Sequence, residues 1–260
     1  MGAIDRIQTM LETCSNGNRV FPPTILYNEG WMLRLVVDWF ARNRVDNHPL
    51  CFSDNSEWYS EAQLPTTFRP KIKGDKFGES RTHADGVIGN IKIGDAGAVD
   101  LSILPGAEQL VVLEAKMFSK LADGIKNANY YNQAARNVAC VAETLKQGNI
   151  NPSNLSALGF YVIAPQSQID RGIFKDYLTH ESIQKTVKRR ADEHDDSKEE
   201  WFQDWFLPTI QHIDIRAISW EELIETIKET DPSSAHEIND FYDKCIEFNR
   251  PKEKKKQETK

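Results

Sequence analysis

Residues 157–165, ALGFYVIAP, are apolar at almost every position. A strand with one wet face alternates polar and apolar side chains, so an unbroken run of this kind demands cover on both faces. A sheet buried twice over needs helices on either side, which places the chain among α/β folds. A second run, QLVVLEAKMF at 109–118, begins in the same way and ends differently. Glu114 and Lys116 close it, with only Ala115 between them. Two ionised groups at the end of a buried strand need a reason.

The remaining pattern fills in the layers. NEGWMLRLVVDWFARN, 28–43, reads as a helix with Met32, Leu33, Val36 and Phe40 on its apolar face. Arg34, Asp38 and Arg42 form a charged stripe spaced by four. Glu29 stands at the first turn of the apolar stripe. It fits a helix-start acid facing the macrodipole and fits equally a group turned toward chemistry. Strand-like runs follow at 85–93 (DGVIGNIKI), 100–104 (DLSIL) and 110–116 (LVVLEAK), with Pro105-Gly106 as the turn between the last two. The spacing of Tyr131, Ala134, Ala135, Val138, Ala142 and Leu145 predicts a helix over about 128–146, stopped by Gly148. After the strand at 157–165 come a helix, a strand at 213–218 and a helix opened by a Ser219/Glu222 capping box. Residues 44–80 read as loop. KRRADEHDDSKEE, 188–200, reads as a charged and solvated stretch. Trp201, Phe202, Trp205 and Phe206 read as a packing stripe rather than a base-stacking surface.

Length and charge bound the function. The 260 residues suit a single domain over 1–249, with a core at about 24–165, a helical annex and last strand over 166–249, and a disordered basic tail at 250–260. A formal net charge of -7 excludes a histone-like binder but leaves room for a local basic groove, and Arg69, Lys71, Lys73, Lys76 and Arg81 supply one candidate. Cys14, Cys51, Cys140 and Cys245 form no CxxC, so neither a zinc site nor a disulfide framework is expected. The start, MGAIDRIQTM, lacks a basic-then-apolar leader, and no apolar run approaches the roughly 18 residues that span a bilayer. The expectation is a cytoplasmic chain with reduced thiols. Gly86, Gly89 and Gly94 make no nucleotide fingerprint, and there is no GxSxG, HExxH or P-loop.

The charged strand end then carries the argument. Alternate strand residues share a face, so Leu110, Val112, Glu114 and Lys116 point one way. If Leu104 faces Leu110 across the Pro105-Gly106 turn, Asp100 faces Glu114. Opposed carboxylates on a sheet face cost roughly 0.2–1 kcal/mol, and more when partly buried. A divalent cation between them removes the penalty, and hard oxygen ligands suit Mg²⁺ or Mn²⁺ better than zinc. Asp85, at the start of the first strand run, is the competing aspartate. It becomes the partner of Glu114 if 100–104 is an insertion, and His83 then shares its face if the strand extends back that far.

With these residues in place the chain resembles the PD-(D/E)XK nuclease superfamily over about residues 24–165. Asp100, Glu114 and Lys116 match its D…ExK signature. Glu29 resembles the first-helix glutamate of many members, and Gln133 the glutamine that some branches carry in the helix after ExK. The resemblance implies a restriction-endonuclease-like αβββαβ core with a mixed sheet between helices. It implies metal-dependent hydrolysis of phosphodiester bonds, in DNA before RNA, in a bacterial defence or mobile-element setting, with two copies pairing in many such enzymes. It also implies Mg²⁺ (or Mn²⁺) held by Asp100 or Asp85, Glu114 and Glu29, with Lys116 orienting the attacking water or steadying the transition state. Lys71, Lys73, Lys76, Arg81, Lys120 and Lys126 would then grip phosphate. The alternative is a nuclease-fold binding or scaffold protein without catalysis.

Overall fold

The structure is a computed structural model and describes residues 2–15, 20–70, 72–73, 75, 78–79, 82–94, 100–124, 128–194 and 197–251. In chain order its elements are α1 (Ala3–Ser15), α2 (Glu29–Arg42), β1 (Glu57–Leu64), β2 (Thr82–Gly89), β3 (Ile91–Ile93), β4 (Leu101–Ile103), β5 (Gln109–Ala115), α3 (Gln133–Gly148) and β6 (Ala157–Ala164). They continue with α4 (Gln166–Asp170), α5 (His180–His194), α6 (Ser197–Trp201), a π-helical turn (Phe202–Phe206), α7 (Leu207–His212), β7 (Asp214–Ser219), α8 (Trp220–Thr230) and α9 (Pro232–Asn249).

Five strands form one mixed sheet in the order β1-β2-β5-β6-β7. β1 and β2 pair antiparallel, as do β2 and β5, whereas β5, β6 and β7 are parallel. The two apolar runs thus become neighbouring inner strands, and all of β5 is buried. α2, α8 and α9 close over Ile88, Val111, Leu113, Ala115 and Ile163 on one face. α3, α5 and α7 close over Val87, Leu110, Val112, Phe160 and Val162 on the other. Each such aliphatic side chain contributes roughly 1.5–3 kcal/mol when fully buried.

Local chemistry sets the helix ends that matter for the site. The Asn28 side chain accepts a hydrogen bond from the Trp31 N–H and caps α2. Asn132 does the same for α3 through the Ala135 N–H, so this helix begins at Gln133 rather than near 128. It also runs through Gly148 and ends where Asn149 takes a left-handed φ of 51°, a conformation asparagine tolerates. Ala134, Ala135, Ala139 and Ala142 are all buried, and such small residues let α3 lie close to its neighbours. The Ser219 cap is as its sequence suggests: Ser219 Oγ accepts from the Glu222 N–H at 3.0 Å.

The run at 85–93 is two strands in two sheets. β2 ends at Gly89, while β3 pairs with β4 in a separate two-stranded ribbon. Asn90 makes the branch. Its Oδ1 accepts from the Glu108 and Gln109 N–H groups at 2.9 and 3.2 Å, and its carbonyl accepts from the Leu104 N–H at 2.9 Å. β5 passes so near that a Cβ on Gly89 would stand 2.4 Å from the Gln109 carbonyl oxygen. This corrects the expected apposition of Asp100 and Glu114. β4 lies against β3 (Ile91↔Ile103, Ile93↔Leu101), and β2 takes the place beside β5. A three-residue strand offers too few ladder bonds to displace β2.

Two further readings change. β1 forms within the stretch read as loop. Arg190, in the stretch read as solvated, is 0% exposed. Its guanidinium lies over the Phe68 and Tyr131 rings, with Nε 3.6 Å from Glu79 Oε1. Trp201, Phe202 and Phe206 are buried in the core beneath α3, as a packing stripe requires. Lys71, Lys76, Arg81 and Lys126 lie outside the described residues, as do 252–260 of the expected tail. The four cysteines are free, and no helix among the described residues is long and apolar enough to cross a membrane.

Candidate active site

The antiparallel ladder between β2 and β5 runs from Gly89↔Leu110 to Gly86↔Leu113. One step further, Asp85 comes opposite Glu114. β5 stops at Ala115, whereas β2 continues back to Thr82 alongside β1, so the two acids sit in the notch where an inner strand gives out. The next N–H of β5 would have no ladder partner. Asp85 Oδ2 accepts it instead, from Ala115 at 2.8 Å. The strand end and the aspartate are therefore fixed by the same bond.

Glu114 is 1% exposed and surrounded by donors. Its Oε1 accepts from the Lys116 ammonium and from Gln133 Nε2 at 2.6 Å, and its Oε2 from Asn137 Nδ2 at 3.3 Å. Gln133 and Asn137 are one turn apart on α3, the spacing that puts two side chains on one helix face. Gln133 also fastens the loop before α3: its Oε1 accepts from the Ala122 N–H and its own N–H donates to the Ala122 carbonyl, both at 3.0 Å. The Lys116 side chain is 12% exposed. Its backbone is held on both sides, the N–H donating to the Ile163 carbonyl at 2.8 Å and the carbonyl accepting from Trp220 Nε1 at 3.0 Å.

Burial pushes the Glu114 carboxyl up to about 7, and the neighbouring Asp85 charge adds to the shift, while Lys116 opposes it. A carboxylate that is costly to ionise beside a second acid is the setting a dication relieves. Mg²⁺ sites use one or two carboxylates and leave other positions to water and substrate oxygens, so the Asp85–Glu114 pair fits such an ion. Among the described residues no group of three His, Cys, Asp or Glu side chains stands together to hold a metal.

The other expected site residues fall elsewhere. Glu29 is at the first turn of α2; burial pushes the Cys245 thiol of α9 up and the Glu29 charge adds to that, while Glu114 is surrounded by other groups. Asp100 forms an isolated bridge with Gln63 and accepts from its Nε2 at 2.5 Å. His83 lies within β2, exposed and opposite Gln63 of β1. Lys120 is exposed and donates to Asp123 at 2.8 Å. Asn137 was not foreseen. Its position four residues after Gln133 is the signal that could have found it.

A stability effect follows with a definite sign. Folding raises the Glu114 carboxyl from its ordinary 4.5 to about 7, so the folded state binds the proton more tightly. This contribution is present below pH 4.5 and is lost as pH rises through 7. The cation-free protein should lose stability on the order of 3 kcal/mol at most between those limits, and Glu114→Gln should flatten the dependence. Urea unfolding midpoints at pH 5 and pH 7.5 in EDTA measure it. A wild-type midpoint that holds or rises would contradict the assigned shift.

Comparison with protein-family models, with curated proteins and with solved structures finds no match to this chain.

Proposed function

We propose that the chain is a divalent-cation-dependent nuclease of the PD-(D/E)XK type, acting on nucleic acid and on DNA in the first instance. The reading rests on one observation: Asp85 stands across the sheet from Glu114, and Lys116 pairs with that same glutamate. In this reading α2, β1, β2, β5, α3 and β6 form the αβββαβ core of a restriction-endonuclease-like fold. The β3–β4 ribbon is an insertion, and Asp85 takes the aspartate position first assigned to Asp100.

Asp85 and Glu114 would hold Mg²⁺ or Mn²⁺. Such an ion lowers the pKa of bound water and neutralises charge on the scissile phosphate. The chain's own groups do the rest. Gln133 and Asn137 hold the Glu114 carboxyl in place from α3. Lys116, held by Ile163 and Trp220, points its ammonium at the same place, where it orients the attacking water or stabilises charge building on phosphate oxygens.

A nuclease fold with a silent site is the second reading. The observation on its side is that both Glu114 oxygens already accept hydrogen bonds. Incubation with single- and double-stranded DNA and RNA in Mg²⁺ or Mn²⁺ separates the two. The catalytic reading expects cleavage that EDTA abolishes, that Asp85→Asn lowers at least about tenfold, and that Asp100→Asn leaves nearly unchanged. No cleavage of any substrate would favour the silent site, and loss confined to Asp100→Asn would return the aspartate role to Asp100.

A further inference from the structure

We infer that Glu61 is a positioning residue for the proposed metal pair: its left-handed backbone turns β1 and β2 over at one point, so that Asp85 meets Glu114 while the Glu61 carboxylate is kept away from both. This rests on the nuclease reading and adds a residue that acts through Asp85.

Paired residues of an antiparallel ladder share a face, and alternate residues along a strand share it too. Ser60 pairs with Gly86 and Ala62 with Ala84, so a regular ladder would put all four on one side of the sheet. They divide instead. A Cβ on Gly86 would meet Leu33 of α2 at 3.1 Å, and Ile88 lies in the cluster beneath α2. Ala62, Leu64 and Ala84 lie in the cluster beneath α3, together with Val87. Both strands therefore change face between the two pairs, where Glu61 stands opposite Asp85. No residue is inserted, because each strand has one residue in the gap.

The backbone of Glu61 accounts for the change. Its φ is 61°, in the left-handed region a glutamate rarely enters, and among the described residues of β1 and β2 no other φ is positive. Such strain persists where surrounding structure imposes it, and it gathers at functional sites. Here the burial of Ala62 and Leu64 imposes it, and its effect falls on the acids. A regular ladder would present the Glu61 and Asp85 carboxylates to the same face, where like charges repel. Instead Glu61 Oε1 lies 3.5 Å from the Arg34 guanidinium of α2. Asp85 Oδ2 accepts from the Ala115 N–H at 2.8 Å, and its charge acts on Glu114.

Residue-resolved amide hydrogen exchange of the metal-free full-length protein, with Mn²⁺ binding by calorimetry, tests this on Glu61→Gly, Glu61→Asn and Glu61→Val. Glycine and asparagine tolerate a positive φ, whereas a β-branched residue does not. The Ala115 amide reports directly on Asp85. The glycine and asparagine variants lose the carboxylate and keep the turn, so Ala115 exchange and the Mn²⁺ Kd should stay within about twofold of wild type. Glu61→Val should speed Ala115 exchange about tenfold, with smaller changes at the other β5 amides. It should weaken Mn²⁺ binding about 10–100-fold, and saturating Mn²⁺ should restore most of the wild-type kcat. Wild-type Ala115 exchange and Mn²⁺ affinity in a folded Glu61→Val protein would overturn the inference and leave the nuclease reading standing. So would a loss of about tenfold in Glu61→Gly, which decides the matter even if the valine variant does not fold, because the carboxylate rather than the backbone would then be at work. A wild-type protein that neither binds Mn²⁺ nor cleaves nucleic acid would overturn the inference together with the nuclease reading.

Discussion

Lys116→Ala is expected to reduce Mg²⁺-dependent cleavage by roughly 10²–10⁴-fold, the range for loss of a positioned proton-transfer or charge-stabilising group. The loss comes from two causes. The ammonium is no longer present where charge develops. Burial and Asp85, which already push Glu114 upward, also act without the one cation that opposes them, so the acid holds its proton more tightly and competes less well for a metal. Lys116→Arg keeps the charge but changes its reach, and should recover only part of the rate. The backbone bonds to Ile163 and Trp220 do not involve the side chain, so the fold should survive, with a lower melting point because buried Glu114 loses its cation. Cleavage rates beside circular dichroism melts give the answer. A Lys116→Ala protein that cuts at the wild-type rate would remove lysine from the mechanism.

Arg190→Met should destabilise the protein by about 3–5 kcal/mol, the cost of leaving one member of a buried ion pair alone. Glu79 is buried beside Thr66, whose hydroxyl donates to its Oε2 at 3.2 Å, and burial already raises its carboxyl while Arg190 and Arg136 hold it down. Without Arg190 only the Thr66 hydrogen bond and the charge of Arg136 still favour the ionised form. Arg190 also rests on the Phe68 and Tyr131 rings, and methionine replaces part of that contact but none of the charge. The double variant Glu79→Gln/Arg190→Met should recover much of the loss, because no unpaired charge is then buried. Urea unfolding of the three proteins decides this. A loss below about 1 kcal/mol in the single variant would mean the pair is hydrated.

The layers were legible because they rest on unbroken apolar runs. β5 and β6 are central, and α2 and α3 lie on opposite faces with the caps their sequences allow. The acid–lysine end of β5 could be read for the same reason, since one strand settles it. Its partner could not. Whether Asp85 or Asp100 faces Glu114 depends on which strand lies beside β5. That depends on the bonds Asn90 makes to residues 18 and 19 positions away and on the space left by Gly89. β1 escaped notice because an edge strand need satisfy only one neighbour. Its sequence, EWYSEAQL, carries two glutamates and a residue with positive φ. Arg190 escaped because a buried guanidinium beside a glutamate far away in sequence looks, in a run of charges, like its solvated neighbours. The basic groove remains open, since most of its lysines lie outside the described residues.

The hydrogen bond from Trp220 to the Lys116 carbonyl has a practical corollary. Trp220 opens α8 and shares a cluster with Ala115, Met117 and Ile163, joined there by Leu223, Ile227, Ile238 and Tyr242 from the last two helices. A fragment truncated after β6 would keep Asp85, Glu114, Lys116, Gln133 and Asn137, yet the part of that sheet face covered by α8 and α9 would be laid bare to water, with α2 alone left over the rest. The C-terminal third is thus the buttress of the proposed centre, and minimal versions of this protein should be designed by shortening loops, with α8 and α9 retained.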